Sequence, residues 1–183
     1  SNVFTNKDIR LLILYRSFAN HVAYLPLVIF PVLSDIHMPN YTAGIIAALS
    51  TGAMMLVLKF GHRISEKYSY AHSWVLATCL QALLLLLAAV TLENWVILAI
   101  LYVLFIGLDG LWQPAWNHVL VEVVGGKAIA TTRSLVFSIF ALYTTMGKQV
   151  LSFMPLWIAF VFLAVVIFTT NLFFAKRVLA LGK

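Results

Sequence analysis

Charge is scarce in this sequence, and acid is scarcer than base: of 183 residues, 12 are Lys or Arg and only 6 are Asp or Glu. Charged residues make up 10% of the chain and apolar residues 63%, whereas a soluble domain is about 25% charged and about 45–50% apolar. A chain of this length cannot hide such an excess in one core and still cover its surface with polar groups. The sequence therefore belongs in a bilayer. The single cysteine, Cys79, excludes an internal disulfide and any CxxC metal or redox site. The high apolar content excludes a disordered tail. No basic groove with interleaved aromatics lies outside the apolar runs, which sets nucleic acid aside as a partner.

Long apolar runs are what the sequence has in abundance. A hydrocarbon layer about 30 Å thick takes about 20 helical residues to cross, and six stretches qualify, from Ile9 to Leu33, Tyr41 to Phe60, Ser73 to Thr91, Trp95 to Val124, Ala128 to Leu151 and Phe153 to Ala175. A membrane β-barrel needs alternating apolar and polar residues, but Leu83 to Leu87 and Val161 to Phe168 are continuous. The expectation is an all-α integral membrane domain. Pro39-Asn40, Gly61, Glu93-Asn94, Gly125-Gly126 and Pro155 punctuate the runs as turn or boundary signals. The first run is too long for a cleavable signal peptide, and no small-residue cleavage site follows it.

Six spans put both termini on one side. Lys7, Arg10, Arg16, Lys59, Arg63, Lys67, Lys127, Arg133, Lys176, Arg177 and Lys183 fall at or near one face and Lys148 toward the other. The positive-inside rule makes the basic face, with both termini, cytoplasmic, in a cell (inner or plasma) membrane.

Polar groups inside spans are costly and mark functional sites by default. Span one carries Arg16, Asn20 and His21, and span four carries Asp109, Gln113, Asn117 and His118. Spans three and six hold little beyond Thr78 and Gln81, which predicts lipid-facing helices. Arg16, Asn20 and Tyr24 fall on one helical stripe, and Asp109, Trp112, Gln113, Trp116 and Asn117 on another. A rise of about 1.5 Å per residue puts Arg16 and Asp109 at similar depth, roughly 10–20 Å from the cytoplasmic boundary, where they could pair across a cavity. Two readings of Arg16 stand at this point: that pairing, or snorkelling to the interface.

Spans two and five carry small residues instead. Gly44, Ala48 and Gly52, flanked by Ala43, Ala47 and Thr51, face the same way, and span five offers Thr131, Ser134, Ser138, Ala141 and Thr145. Small residues at this spacing let helix backbones approach in lipid, so both spans are expected to face other helices. Lys148, near the outer end of span five, is a substrate anchor, a coupling group or an interfacial lysine. Pro26, Pro31 and Pro114 interrupt the two spans that carry the polar stripes, as is tolerated where a helix lines a cavity.

This pattern resembles one six-helix half of a major facilitator superfamily transporter. Ser65-Glu66-Lys67-Tyr68-Ser69 is similar to that family's small-Asp-Arg-aromatic-Gly loop motif, with Glu for Asp, Lys for Arg and Ser for the second glycine. Ala130-Thr131-Thr132-Arg133-Ser134-Leu135 looks like the start of the eleventh helix in many drug and small-solute exporters. Together they suggest a C-terminal half. The resemblance implies two inverted three-helix repeats, here residues 9–91 and 95–175. It implies secondary transport of a small organic solute by alternating access, driven by a proton or solute gradient, without a cofactor or bound metal. Asp109 and Lys148 would be the proton-coupling groups, and Arg16, Asn20, His21, Trp112, Gln113, Trp116 and Asn117 the substrate contacts. Glu66 and Lys67 would form a gating loop. A half-transporter needs a second bundle, either another copy or an N-terminal half, and the small faces of spans two and five are the expected contact.

Two other classes compete. The six-helix binding subunit of an energy-coupling-factor vitamin importer has similar length, but it docks through small residues on its first helix, and here they lie on spans two and five. An enzyme would draw on His118 and Glu122, four apart on one helix. No HExxH motif or phosphate loop accompanies them, so the sequence reads as non-enzymatic.

Overall fold

The computed structural model describes residues 6–21, 38–125 and 128–181. Among them the chain is helical with short connections and no strand. The elements are α1 (Lys7–Arg16), a π-type turn continuing it (Ser17–His21), α2 (Asn40–Tyr68), α3 (Tyr70–Val90), α4 (Trp95–Gly107), α5 (Asp109–Val124), α6 (Ile129–Ser152) and α7 (Leu156–Leu181). Five helical stretches among the described residues are long and apolar enough to cross a membrane: Tyr41–Tyr68, Tyr70–Val90, Trp95–Val124, Ile129–Gly147 and Leu156–Leu181. These are the helices of a multi-pass membrane protein, and they match spans two to six. Of span one, the helix up to His21 is described; Tyr24, Pro26 and Pro31 lie outside the described residues, as do Gly126, Lys127 and Lys183.

The helix boundaries have local causes. The Asn6 side chain accepts from the amides of Asp8 and Ile9 to start α1, and Asn94 does the same for Val96 and Ile97 at the start of α4. Gly125, at φ 67°, ends α5. Between α4 and α5 the chain only pauses at Leu108, so the two form one nearly continuous span. Pro114 lacks an amide hydrogen, and the Gly110 carbonyl loses its usual partner there.

Two sequence expectations change. Gly61 to Ser69, expected as a loop, is helical as far as Tyr68, and a single residue, Ser69, joins α2 to α3. Gly61 is a packing glycine rather than a turn: a Cβ there would come within 3.0 Å of Leu111 Cδ1 on α5. Nor is α3 a lipid-facing helix. Its Ala71, Trp74, Ala77, Thr78, Gln81, Ala82 and Leu85 are buried, while only its other side, with Leu76, Leu80, Leu83 and Leu87, is exposed. It packs against α7, α5, α4 and α2 and so occupies the middle of the bundle. α7 divides in the same way, with Phe160, Leu163 and Ile167 buried and Phe162, Val165 and Leu172 exposed.

The interior has three levels. One apolar cluster joins Ala82, Leu85 and Ala88 of α3 to Leu98, Tyr102 and Phe105 of α4 and to Phe160 and Leu163 of α7. A second joins Leu12 and Tyr15 of α1 to Trp74 and Ala77 of α3 and Trp112, Trp116 and Leu120 of α5. Between them lies a buried polar layer of Thr78 and Gln81 near the middle of α3, Asp109 at the start of α5, and Thr170 and Asn171 on α7.

The crossing of α2 and α5 is the tightest contact for a glycine. A Cβ on Gly110 would fall on the Met54 carbonyl oxygen and within 2.7 Å of the Leu58 amide nitrogen. These are backbone atoms, which cannot swing aside. Gly110→Ala is therefore expected to lower the unfolding free energy by about 2–3 kcal/mol, the upper part of the usual overpacking range, as measured by reversible denaturation in mixed micelles. At the α2–α3 junction Ser69 has φ 89° and ψ 149°, a conformation that favours glycine. Ser69→Gly and Ser69→Ala lose the same hydroxyl, so comparing them isolates the backbone. The glycine variant is expected to be the more stable by about 1–2 kcal/mol in the same measurement.

Candidate functional site

The site grows from one indole. Trp112 stands on α5 with the Arg16 guanidinium over its ring face, 3.9 Å from the centroid. Its Nε1–H donates to Asp109 Oδ1 at 2.6 Å. Face and edge suit the two charges: the ring quadrupole attracts a cation, and the N–H attracts an acceptor. The same Asp109 oxygen accepts from Gln81 Nε2 at 2.9 Å, and Gln81 also donates to the Phe105 carbonyl oxygen at 3.1 Å. Arg16, Trp112, Asp109 and Gln81 thus form one connected path from α1 through α5 to α3. Arg16 is 8% exposed and packed on an indole, so the snorkelling reading fails.

A second polar path runs beside the first. Trp74 Nε1 donates to Asn20 Oδ1 at 2.7 Å, which ties the π-type turn to α3. Tyr15 donates its hydroxyl to Asn171 Oδ1 at 2.6 Å and lies 3.2 Å from the Thr78 hydroxyl, which itself donates to Asn171 Oδ1 at 3.1 Å. Tyr15 and Trp74 meet edge to face at 4.8 Å, and Trp74 and Trp116 at 5.3 Å. Asn20 is fully enclosed, and its Nδ2 has no hydrogen-bond partner among the described residues. In hydrocarbon each unsatisfied polar atom is expensive, so these pairings fix which faces of α1, α3 and α7 point inward.

The recess opens on the α1–α5–α6 side. Its volume is about 290 Å³, and Arg16, Trp112, Gln113, Trp116, Asn117 and Arg133 line it, with Phe137 at the edge. Five of the seven residues expected to contact substrate are therefore brought to one wall. Asn20 is turned toward Trp74 instead, and the side chain of His21 lies outside the described residues. Asp109 is not a wall residue; it accepts a hydrogen bond from Trp112, which is. The side chain of Lys148 also lies outside the described residues.

Glu66 and Lys67 stand exposed on the last turn of α2, where the loop was expected. Glu66 pairs with His62 at 3.3 Å, and Lys67 Nζ lies 5.2 Å from the Tyr68 ring centroid. His118 and Glu122 form a half-exposed pair at 3.1 Å, with His118 stacked on Tyr70 at 3.9 Å between centroids. Tyr70 in turn shares a hydrogen bond of 2.8 Å with His62. These contacts join the neighbouring ends of α2, α3 and α5.

Sequence reasoning missed Arg133, whose Nη2 donates to Asn117 Oδ1 at 2.9 Å. It was read as an orientation charge, although a cation one turn into an apolar span was itself a signal. It also missed Trp74 and Gln81 as partners, though Trp74, Thr78 and Gln81 share one helical face. Tyr15 and Asn171 it missed altogether.

Gln81→Leu removes both of its donated bonds. Interhelical hydrogen bonds in membrane proteins average about 0.6 kcal/mol and reach about 1.7. The variant is therefore expected to lose about 1–2 kcal/mol in reversible unfolding and to change the emission of the buried indoles. Comparison of the chain with protein-family models, with curated proteins and with solved structures finds no match in any of the three, so the chemistry of the site stands on its own residues.

Proposed function

We propose that the chain is one six-helix half of a secondary active transporter resembling the major facilitator superfamily, with residues 9–91 and 95–175 as its two inverted repeats. The observation that carries this reading is the polar recess on α1, α5 and α6, lined by charged and amide side chains in a chain otherwise made for lipid. Polar groups at that cost line solute paths. Carriers of this type hold their solute near the bilayer midplane, and Asp109 lies midway along the stretch Trp95–Val124.

Two further features support it. Gly44 and Gly52 on α2 have no atom within 4 Å of a Cβ built there, and Thr131, Ser134, Ser138, Ala141 and Thr145 on α6 are all exposed. Small residues turned outward in lipid are surfaces for another helix. A second six-helix bundle, a further copy of this chain or a separate N-terminal half, would cover them and close the recess. The positive φ of Ser69 also falls where the family's loop motif has its second glycine.

In this mechanism the recess faces each side of the membrane in turn as the two bundles rock. The termini are cytoplasmic, in a cell membrane, by the distribution of basic residues. Asp109 couples protons to the solute through Trp112: a proton on the carboxyl weakens its hold on the indole N–H, and the indole carries Arg16 on its face. Asp109→Asn keeps an acceptor but cannot change charge. In liposomes with an imposed pH gradient, challenged with labelled neutral, anionic and cationic small solutes, the wild type is expected to accumulate solute above equilibrium. The variant is expected to exchange the same solute across the membrane without accumulating it. Unchanged proton-driven accumulation by the variant would remove Asp109 from the mechanism.

A further inference from the structure

We infer that the recess binds a small organic anion, with Arg16 as its fixed charge and Arg133 as its closing arm. The inference rests on the carrier reading above and narrows it to a substrate class.

Among the described residues, the wall carries two guanidinium groups from different helices and no acidic side chain. Asp109 is not among the wall residues; its Oδ1 accepts from Gln81 Nε2 and from the N–H edge of Trp112. The remaining polar wall groups, Gln113 and Asn117, are neutral. A carboxylate or phosphate entering the recess would meet two guanidinium groups and two neutral amides, donors that suit an anionic oxygen.

The two arginines differ in a way that fits capture. Arg16 is 92% buried, fixed flat on Trp112. Arg133 is exposed, and its Nη2 donates to a neutral amide, Asn117 Oδ1. Exchanging that amide for an anionic oxygen replaces a neutral acceptor by a charged one, about twice as strong a bond. Arg133 is also the only polar wall group on α6, so the exchange links α6 to α1 and α5 through the bound anion. Size sets the other limit. About 290 Å³ lies at the small end of ligand pockets, which run from about 300 to 1,000 Å³. A compact solute the size of a benzoate fits; an extended amphiphile does not.

The test is calorimetric titration of the purified full chain in detergent micelles with benzoate, phenyl phosphate and succinate. Benzamide and benzylamine serve as neutral and cationic counterparts. At least one of the three anions is expected to bind at least tenfold more tightly than either counterpart. Arg133→Gln, at an exposed position, is expected to lower that affinity at least tenfold and to leave the unfolding temperature in place. Arg16→Lys keeps the charge but loses the flat contact with Trp112, and is expected to weaken binding in the same direction. Equal binding of charged and neutral probes, or no Arg133-dependent binding across the panel, would overturn the assignment. Liposome uptake separates the two claims. Anion-selective binding without uptake keeps the anion site and defeats the carrier reading, whereas uptake of neutral solutes without charge preference defeats the anion site and keeps the carrier.

Discussion

Every polar group this chain carries into the hydrocarbon layer has to find its partner inside the bundle, because lipid offers none. That requirement orders the rest of the structure. Trp112 meets it for two charged side chains at once, taking Arg16 on its face and offering Asp109 its N–H. Gln81 then carries the connection to α3 and the end of α4. Two apolar clusters lie on either side of this layer, so shape fixes the ends of the bundle and hydrogen-bond demand fixes its middle. A hydrophobic driving force between helices is missing in lipid, which leaves the polar layer to decide how the helices are rotated about their axes.

Small residues serve two opposite purposes. Gly61, Gly107 and Gly110 are turned inward, where α2 and α5 cross closely enough that a Cβ on Gly110 would strike backbone. Gly44 and Gly52 on the same helix α2 meet open space. One helix thus turns one face, with Ile46, Ala53 and Gly61, to its own bundle and leaves the face with Gly44 and Gly52 bare. α6 is barer still: of its described side chains only Thr132 and Val136 are buried.

Much of this was legible in the residues. The apolar runs located five helices, and the Asn94 boundary held because an asparagine there caps the next helix. The polar stripe of span four did meet Arg16, because residues four apart on a helix share a face. Other features were not legible. Gly61 looks the same in sequence whether it turns the chain or lets another helix approach, and only the position of Leu111 separates the two. Thr78 and Gln81 looked too few to matter on an apolar helix, yet one amide aimed at one carboxyl is enough to bring a whole helix to the centre. Arg133 was legible as charge and not as wall, since its partner Asn117 stands on a different helix.

The sequence by itself determined that the chain is helical and made for lipid, and which residues would be costly there. Both follow from composition and from periodicity along one helix, which are local properties. The tertiary structure alone decided that α3 is central, that Asp109 bonds to Trp112 without lining the recess itself, and that Arg16 and Arg133 share one wall. Each of these depends on the rotation and depth of one helix against another, set by pairings between residues far apart in the chain.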